Sequence, residues 1–243
     1  MELSIVIPAF NEERRIIQTL TALKEYCPES EIIVVDDGSS DSTAEVSALS
    51  GARVLVHKEN RGKGAAVRTG VLAARGDVIG FMDADLAVPL HCLESLLEGL
   101  EKGADIAIGS RRLPGSKVYG RGIYRNLPGE IFSRLVTLAT GLPYADTQCG
   151  FKFFKRAAAR EIFTGIRTAD FAFDVEILLQ AVTLGYRVAE VPVEWHDRKG
   201  STVHVFRDGA KMVLSLFGIC VMRHSVERTV CAEHSETIQG RTL

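Results

Sequence analysis

The chain has 243 residues, in which 29 Lys plus Arg stand against 31 Asp plus Glu, for a formal charge of −2. That balance excludes a nucleic-acid coat and an acidic disordered chain, while 46% apolar residues and only 7 prolines exclude a low-complexity or collagen-like polymer. A chain of this length suits a single globular unit with a sizeable core. The five cysteines, Cys27, Cys92, Cys149, Cys220 and Cys231, are scattered and never form a C-x-x-C pair, so neither a disulfide framework nor a zinc site is expected, and a reducing compartment is. No secretory signal is expected where Met1 runs straight into Leu3-Ser-Ile-Val-Ile7. The longest apolar stretch, Met212 to Met222, has 11 residues where a spanning helix needs roughly 20.

Short β-branched runs at Leu3 to Ile7, Glu31 to Asp36, Arg53 to His57, Val78 to Met82 and Ile106 to Ser110 each precede a helical pattern or a Gly-rich turn. After the first run, Ile16, Ile17, Leu20 and Leu23 repeat at helical spacing, and Glu12 to Arg15 open that helix with charges. The runs Ile32 to Val35 and Val78 to Met82 are apolar on both faces, as interior strands of a parallel sheet are. The expected class is α/β, a Rossmann-like, mostly parallel sheet with helices on both faces. Beyond Ser110, Arg111 to Gly122 reads as a long basic loop, followed by a helix over Glu130 to Thr140, a strand at Phe151 to Phe154, a helix over Asp174 to Leu184 and a strand at Arg187 to Val193. A last amphipathic helix over 204–224 closes the domain expected at 1–224, and a polar tail at 225–243 is expected to be disordered.

Ligands of an open parallel sheet bind beyond the carboxyl ends of its strands. Three such ends carry acids: Pro8-Ala-Phe-Asn-Glu12, Asp36-Asp-Gly-Ser-Ser-Asp41 and Asp83-Ala-Asp85. No G-x-G-x-x-G follows the first strand and no GxxxxGK[ST] occurs, which argues against a dinucleotide-binding or P-loop protein. In an extended segment, Asp83 and Asp85 project to one side, where two carboxylates can meet a hard cation such as Mg²⁺ or Mn²⁺ that also binds a diphosphate. Taken alone, Asp-x-Asp is equally a solvated turn. Asp37 can accept from a base imide N–H or simply close a turn, and Glu12 can accept from ribose hydroxyls or serve the helix dipole.

Together, Val6-Ile-Pro-Ala-Phe-Asn-Glu12, Val34-Val-Asp-Asp-Gly-Ser39, Asn60-Arg-Gly-Lys-Gly-Ala-Ala66 and Phe81-Met-Asp-Ala-Asp-Leu86 resemble the successive motifs of family 2 glycosyltransferases with the GT-A fold. Asp146-Thr-Gln-Cys-Gly-Phe-Lys-Phe153, Phe173-Asp-Val-Glu176 and Trp195-His-Asp-Arg-Lys-Gly-Ser201 extend the resemblance to the dolichyl-phosphate glucosyl- and mannosyltransferase branch, over about residues 1 to 205. It implies that Pro8, Ala9, Glu12, Asp37 and Lys63 line a nucleotide pocket, that Asp83, Ala84 and Asp85 meet the metal and diphosphate, and that Arg198 and Ser201 approach the phosphates. Mannosyl members often carry a Gln two places beyond the second Asp. This chain has Ala87, which points to a UDP-sugar, UDP-glucose above all, rather than GDP-mannose.

The resemblance further implies an inverting transfer of a hexose to a dolichyl or other polyprenyl phosphate. An alcohol acceptor would need a base, whereas a lipid phosphate is already anionic and needs cationic positioning. Arg111, Arg112, Lys117, Arg121 and Arg125 can supply it through guanidinium forks, with Arg111 and Arg125 expected at the reacting phosphate; a solvated basic loop is the plainer reading. Asp146, Asp174 and Glu176 are expected either to orient sugar hydroxyls and cationic side chains or to form structural ion pairs. The helix at 204–224 either packs on the core or lies in a membrane interface, giving a peripheral enzyme at a cytoplasmic membrane face with no nucleic-acid partner. The competing readings are a hydroxyl acceptor on a glycan or small molecule, a sugar-phosphate nucleotidyltransferase, and a non-catalytic nucleotide-binding module.

Overall fold

The computed structural model describes residues 1–120, 133–170 and 172–198. The expected helix at 204–224, the tail at 225–243, and Arg121, Arg125 and Ser201 lie outside the described residues. The chain runs β1 (Leu3–Ala9), α1 (Glu13–Tyr26), β2 (Glu31–Asp36), α2 (Thr43–Leu49), β3 (Arg53–Val56), α3 (Lys63–Ala73), β4 (Val78–Met82), α4 (Cys92–Glu101), β5 (Ile106–Ser110) and β6 (Lys117–Tyr119). Helical residues 133–140 (α5) follow, then β7 (Phe151–Lys155), α6 (Arg156–Gly165), α7 (Phe173–Thr183), β8 (Val188–Pro192) and β9 (Glu194–His196).

Seven strands form one sheet in the order β3-β2-β1-β4-β7-β5-β8. All neighbours are parallel except at β7, which runs antiparallel between β4 and β5. The central strands β4 and β5 are buried at every position, which is why they read as continuous apolar runs rather than alternating ones. One face packs Val6, Ile79 and Phe81 against α3, α6 and α7. The other packs Ile5, Ile7 and Val34 against α1 and α4, where Ile16, Leu20 and Leu23 are fully buried, each contributing about 1.5–3 kcal/mol relative to exposure. The α/β class with helices on both faces is therefore observed.

Three elements differ from the sequence reading. The basic stretch after β5 is not a continuous loop, because β6 pairs in parallel with β9, Lys117 opposite Glu194 and Tyr119 opposite His196. The strand read at Arg187 to Val193 is found as β8, and what the reading did not include is that the chain then crosses at Val193 into β9 of a second sheet. The direction of β7 was not legible either, since Phe-Lys-Phe-Phe has the same pattern whichever way the strand runs.

Candidate functional site

The carboxyl ends of β1, β2 and β4 lie side by side, with Ala9 opposite Asp36 in the ladder and Val6 opposite Phe81. Their loops are stitched together by short polar side chains. Asn11 adopts a left-handed backbone conformation, φ 56°, and its amide oxygen accepts from the Ser40 N–H at 2.9 Å, while its own N–H donates to Ser39 Oγ. The Glu12 N–H, at the start of α1, donates to Thr43 Oγ1 at 2.8 Å. Asp36 Oδ1 accepts from the Ser39 N–H, three residues on, at 2.8 Å, and the Asp37 N–H donates to the Ala9 carbonyl. From the middle of α1, the buried Thr19 hydroxyl donates to the Ala84 carbonyl at 2.7 Å and ties the loop after β4 to that helix.

Asp83 and Asp85 do not extend β4. The strand ends at Met82, residues 84 and 85 form a turn, Asp85 Oδ1 accepts from the Ala87 N–H, and Leu86 stands at φ 52°. The turn corrects the extended geometry expected from i and i+2 spacing, yet the two carboxylates remain close enough to act on each other. Burial, and next the Asp83 charge, raise the Asp85 carboxyl above its ordinary range. Glu12 is raised for the same first reason, with Arg15, 2.8 Å away, opposing and Asp85 and Asp83 adding to it. A cation is therefore favourable here, and Lys63 supplies one, its Nζ 2.5 Å from Asp83 Oδ1. Burial works against the Lys63 charge, but Asp83 and then Asp174 outweigh it and hold the ammonium above its ordinary pKa.

The placement of Lys63 depends on two close backbone approaches. Gly62 has φ +96° and lies so near the Ala169 carbonyl that a Cβ would fall 2.5 Å from its oxygen. A Cβ on Gly64 would meet the Thr168 oxygen at 2.6 Å and the Phe173 Cβ at 2.8 Å, and the Gly64 N–H donates to the Ala169 carbonyl at 2.7 Å. Segment 167–169 is itself held by Glu176, whose carboxylate accepts from the Arg167 and Thr168 N–H groups. On the other side, Gly150 packs against Asp83, and a Cβ on it would fall 2.4 Å from Oδ2.

Asp37 is buried and already accepts three hydrogen bonds. Its Oδ1 takes His57 Nδ1–H at 2.6 Å and the Arg61 N–H at 3.0 Å, and Oδ2 takes the Gly62 N–H at 2.7 Å. Because a carboxylate only accepts, His57 donates its Nδ1–H to Asp37, and its Nε2 lies 3.0 Å from the Thr69 hydroxyl. The Arg61-to-Gly64 turn is thus hung from Asp37, an organising role the sequence reading did not include.

Arg111 and Asp146 form a two-pronged pair, Nε to Oδ2 at 2.6 Å and Nη2 to Oδ1 at 2.8 Å, and the Arg111 backbone N–H also donates to Oδ2. Asp146 is buried, which alone would raise its carboxyl. The Arg111 hydrogen bonds and charge overcome burial and hold it well below the usual carboxylate range. Glu190 on β8 fixes this segment by accepting from the Ala145 and Asp146 N–H groups. An Arg111 fork expected to be available to a phosphate is therefore largely committed within the protein, while its guanidinium carbon also lies 5.9 Å from the Trp195 ring centroid. Arg112 and Lys117 remain in the described segment beside it, and Arg198 reaches the Leu86 carbonyl through Nη2 at 3.2 Å, bringing the segment that follows β9 next to the Asp83-to-Leu86 turn.

The donor set suits a hard divalent ion: two carboxylates at a strand end, with no third His, Cys, Asp or Glu completing a cage among the described residues. Mg²⁺ and Mn²⁺ characteristically bind through one or two carboxylates and complete their shells with phosphate oxygens and water. His57, Thr19 and Lys152 are the site-supporting residues sequence reasoning missed. Each is a single residue inside an otherwise ordinary helix or strand pattern, and only the fold brings it to the loops.

The family model for glycosyl transferase family 2 matches residues 4–163. The chain belongs to that family. It is a glycosyltransferase. It is 38% identical over 244 residues to a dolichyl-phosphate beta-glucosyltransferase of Drosophila melanogaster, covering 91% of this chain and 75% of that protein. It is 35% identical to the Homo sapiens protein of the same name, covering 84% and 70%. Among solved structures, glucosyl-3-phosphoglycerate synthase from Mycobacterium tuberculosis, in complex with Mn²⁺, uridine-diphosphate and glucosyl-3-phosphoglycerate, superposes with a TM-score of 0.69 at 21% identity, covering 90% of this chain and 80% of that one. The fold is the GT-A arrangement expected of this glycosyltransferase family.

Proposed function

We propose that this glycosyltransferase is an inverting, metal-dependent enzyme that moves glucose from UDP-glucose to dolichyl phosphate or a related polyprenyl phosphate. The observation that carries the reading is the 35–38% identity to dolichyl-phosphate beta-glucosyltransferases over most of their length. Solved relatives of the fold hold UDP with Mn²⁺ or Mg²⁺, and one holds UDP-glucose with Mn²⁺. Ala87 supports the donor assignment: it is buried, its N–H bonds Asp85 and its carbonyl accepts from His196 N–H, so the position belongs to the turn and offers no metal ligand of its own.

In this reading Pro8, Ala9 and Glu12 line the nucleoside side of the site and Asp37 holds the turn that carries Lys63. Asp83 and Asp85 would hold a divalent ion, which supplies charge neutralisation to the departing UDP. Lys63 exchanges its bond to Asp83 for the diphosphate, and Arg198 and Ser201 approach the same phosphates. A phosphate oxygen of the acceptor forms the new bond to the sugar C1 from the face opposite the breaking C1–O bond to UDP, and the electron pair leaves with UDP. No base is needed, because the acceptor oxygen carries no proton to remove. Arg112 and Arg125, with Arg111 fixed by Asp146, position that acceptor. No helix among the described residues is long and apolar enough to cross a membrane; we place the enzyme peripherally at the cytoplasmic face, where its lipid acceptor is reached. Incubation with labelled UDP-glucose, Mn²⁺ and dolichyl phosphate should give an acid-labile glycolipid, and a product formed equally well on a lipid-free alcohol would overturn the acceptor.

A further inference from the structure

Lys152 is the most fully enclosed cation of the described residues, with no solvent exposure, in the middle of β7. Its Nζ lies 2.5 Å from Asp174 Oδ1 and 2.7 Å from the Cys149 carbonyl, and 5.6 Å from the Phe81 ring centroid. A buried ion pair is a poor device for stability, since well-packed apolar residues of the same volume commonly do as well or better. Its position suggests another use. Lys152 stands opposite Phe81 in the β4–β7 ladder, two residues before Asp83, and Gly150, two residues before Lys152, packs against the Asp83 carboxylate. Lys152 shares the face of Phe81, whose ring packs against Phe173 of α7, and on that same face Lys63 of α3 reaches Asp83 just past the end of β4. From α7, Asp174 follows Phe173, whose Cβ would lie 2.8 Å from a Cβ on Gly64, the residue after Lys63. Four charges thus alternate across that face: Lys152, Asp174, Lys63 and Asp83.

We infer that Lys152 and Asp174 are positioning residues for Lys63: Lys152 fixes the Asp174 carboxylate, and Asp174 holds the Lys63 ammonium at the diphosphate side of Asp83. Lys63 and Asp174 stand at the starts of α3 and α7, and those two helix starts meet where Phe173 packs on Gly64. The inference rests on the nucleotide reading of the site and adds residues that touch neither nucleotide nor metal.

Calorimetric titration of the full chain with UDP in the presence of Mn²⁺ separates the two. If the parent chain shows no Mn²⁺-dependent UDP binding, the nucleotide reading itself fails. If it binds, Asp174→Asn, which keeps the side chain's shape and an acceptor for Lys152, should weaken UDP at least tenfold, as should Lys152→Met/Asp174→Leu. The apolar double variant should melt within a few degrees of the parent, which removes unfolding as the cause. The deciding comparison is made in a Lys63→Met background, where Asp174→Asn should cost less than a further twofold because its target is gone. Wild-type UDP affinity in either Asp174 variant, or a full tenfold loss that persists without Lys63, would overturn the inference.

Discussion

Asp146 has both oxygens committed to Arg111 inside the protein, and this has a measurable sign. Its folded pKa is depressed, so the stability it contributes is fully present above the ordinary aspartate value of about 4 and is lost only as the pH falls towards the folded value. Asp146→Asn should therefore destabilise the fold by about 3 kcal/mol at neutral pH, by stranding a buried guanidinium. The gap between parent and variant in urea melts should stay constant from pH 8 to pH 5 and narrow below about pH 4; a gap that widened on acidification would contradict the pairing. Asp83 is held less tightly, since it is itself partly exposed and is paired with a partly exposed lysine. Asp83→Asn should leave the melting temperature nearly unchanged and abolish the Mn²⁺ dependence of UDP binding, read by calorimetry with and without the ion. The chemical type of these residues was legible from sequence, as acids after three strands. Their partners were not, because Arg111 to Asp146 and Asp37 to His57 are contacts across 35 and 20 residues that no local pattern encodes.

At the scale of elements, the site is a set of turns hung on rigid strand ends, and the turn from Arg61 to Gly64 is the most tightly specified. The strand, helix and turn assignments that succeeded were those with a strong period or a Gly-containing break; β6 and β9 escaped because three-residue strands carry too little pattern to be told from loop. Gly64 shows what the sequence could not reveal, since its need for a bare Cα comes from Thr168, Ala169 and Phe173, more than a hundred residues away. Gly64→Ala forces its new methyl against two backbone oxygens and a side-chain carbon. We expect a loss of about 1–3 kcal/mol in chemical denaturation, together with a weaker UDP affinity, because the displaced turn carries Lys63. Unaltered UDP affinity at reduced stability would show that the turn does not set the position of the lysine.

For the molecule as a whole, the β/α order places the acid-bearing loops after β1, β2 and β4 on one edge of a seven-stranded sheet, and the second small sheet of β6 and β9 brings the segment after β5 to the same edge through Arg198 and Leu86. In the proposed reading, that arrangement puts a nucleotide half, built on β1 to β4, beside an acceptor half, built on the segments that follow β5 and β8. The two halves should respond separately: UDP is expected to bind at least tenfold more tightly than GDP in competition titrations, and Arg112→Ala should raise the KM for the lipid phosphate while leaving UDP affinity within twofold. Equal affinity for both nucleotides would remove the donor assignment without disturbing the family.

The central claim, glucose transfer from UDP-glucose to a polyprenyl phosphate, is tested most directly by mass spectrometry of the lipid product formed from UDP-glucose and dolichyl phosphate with Mn²⁺. The account predicts a dolichyl phosphate heavier by one hexose, joined with the β configuration and released by mild acid, and no such product from Asp83→Asn. A hexose found on a hydroxyl group, or an α-linked product, would contradict it.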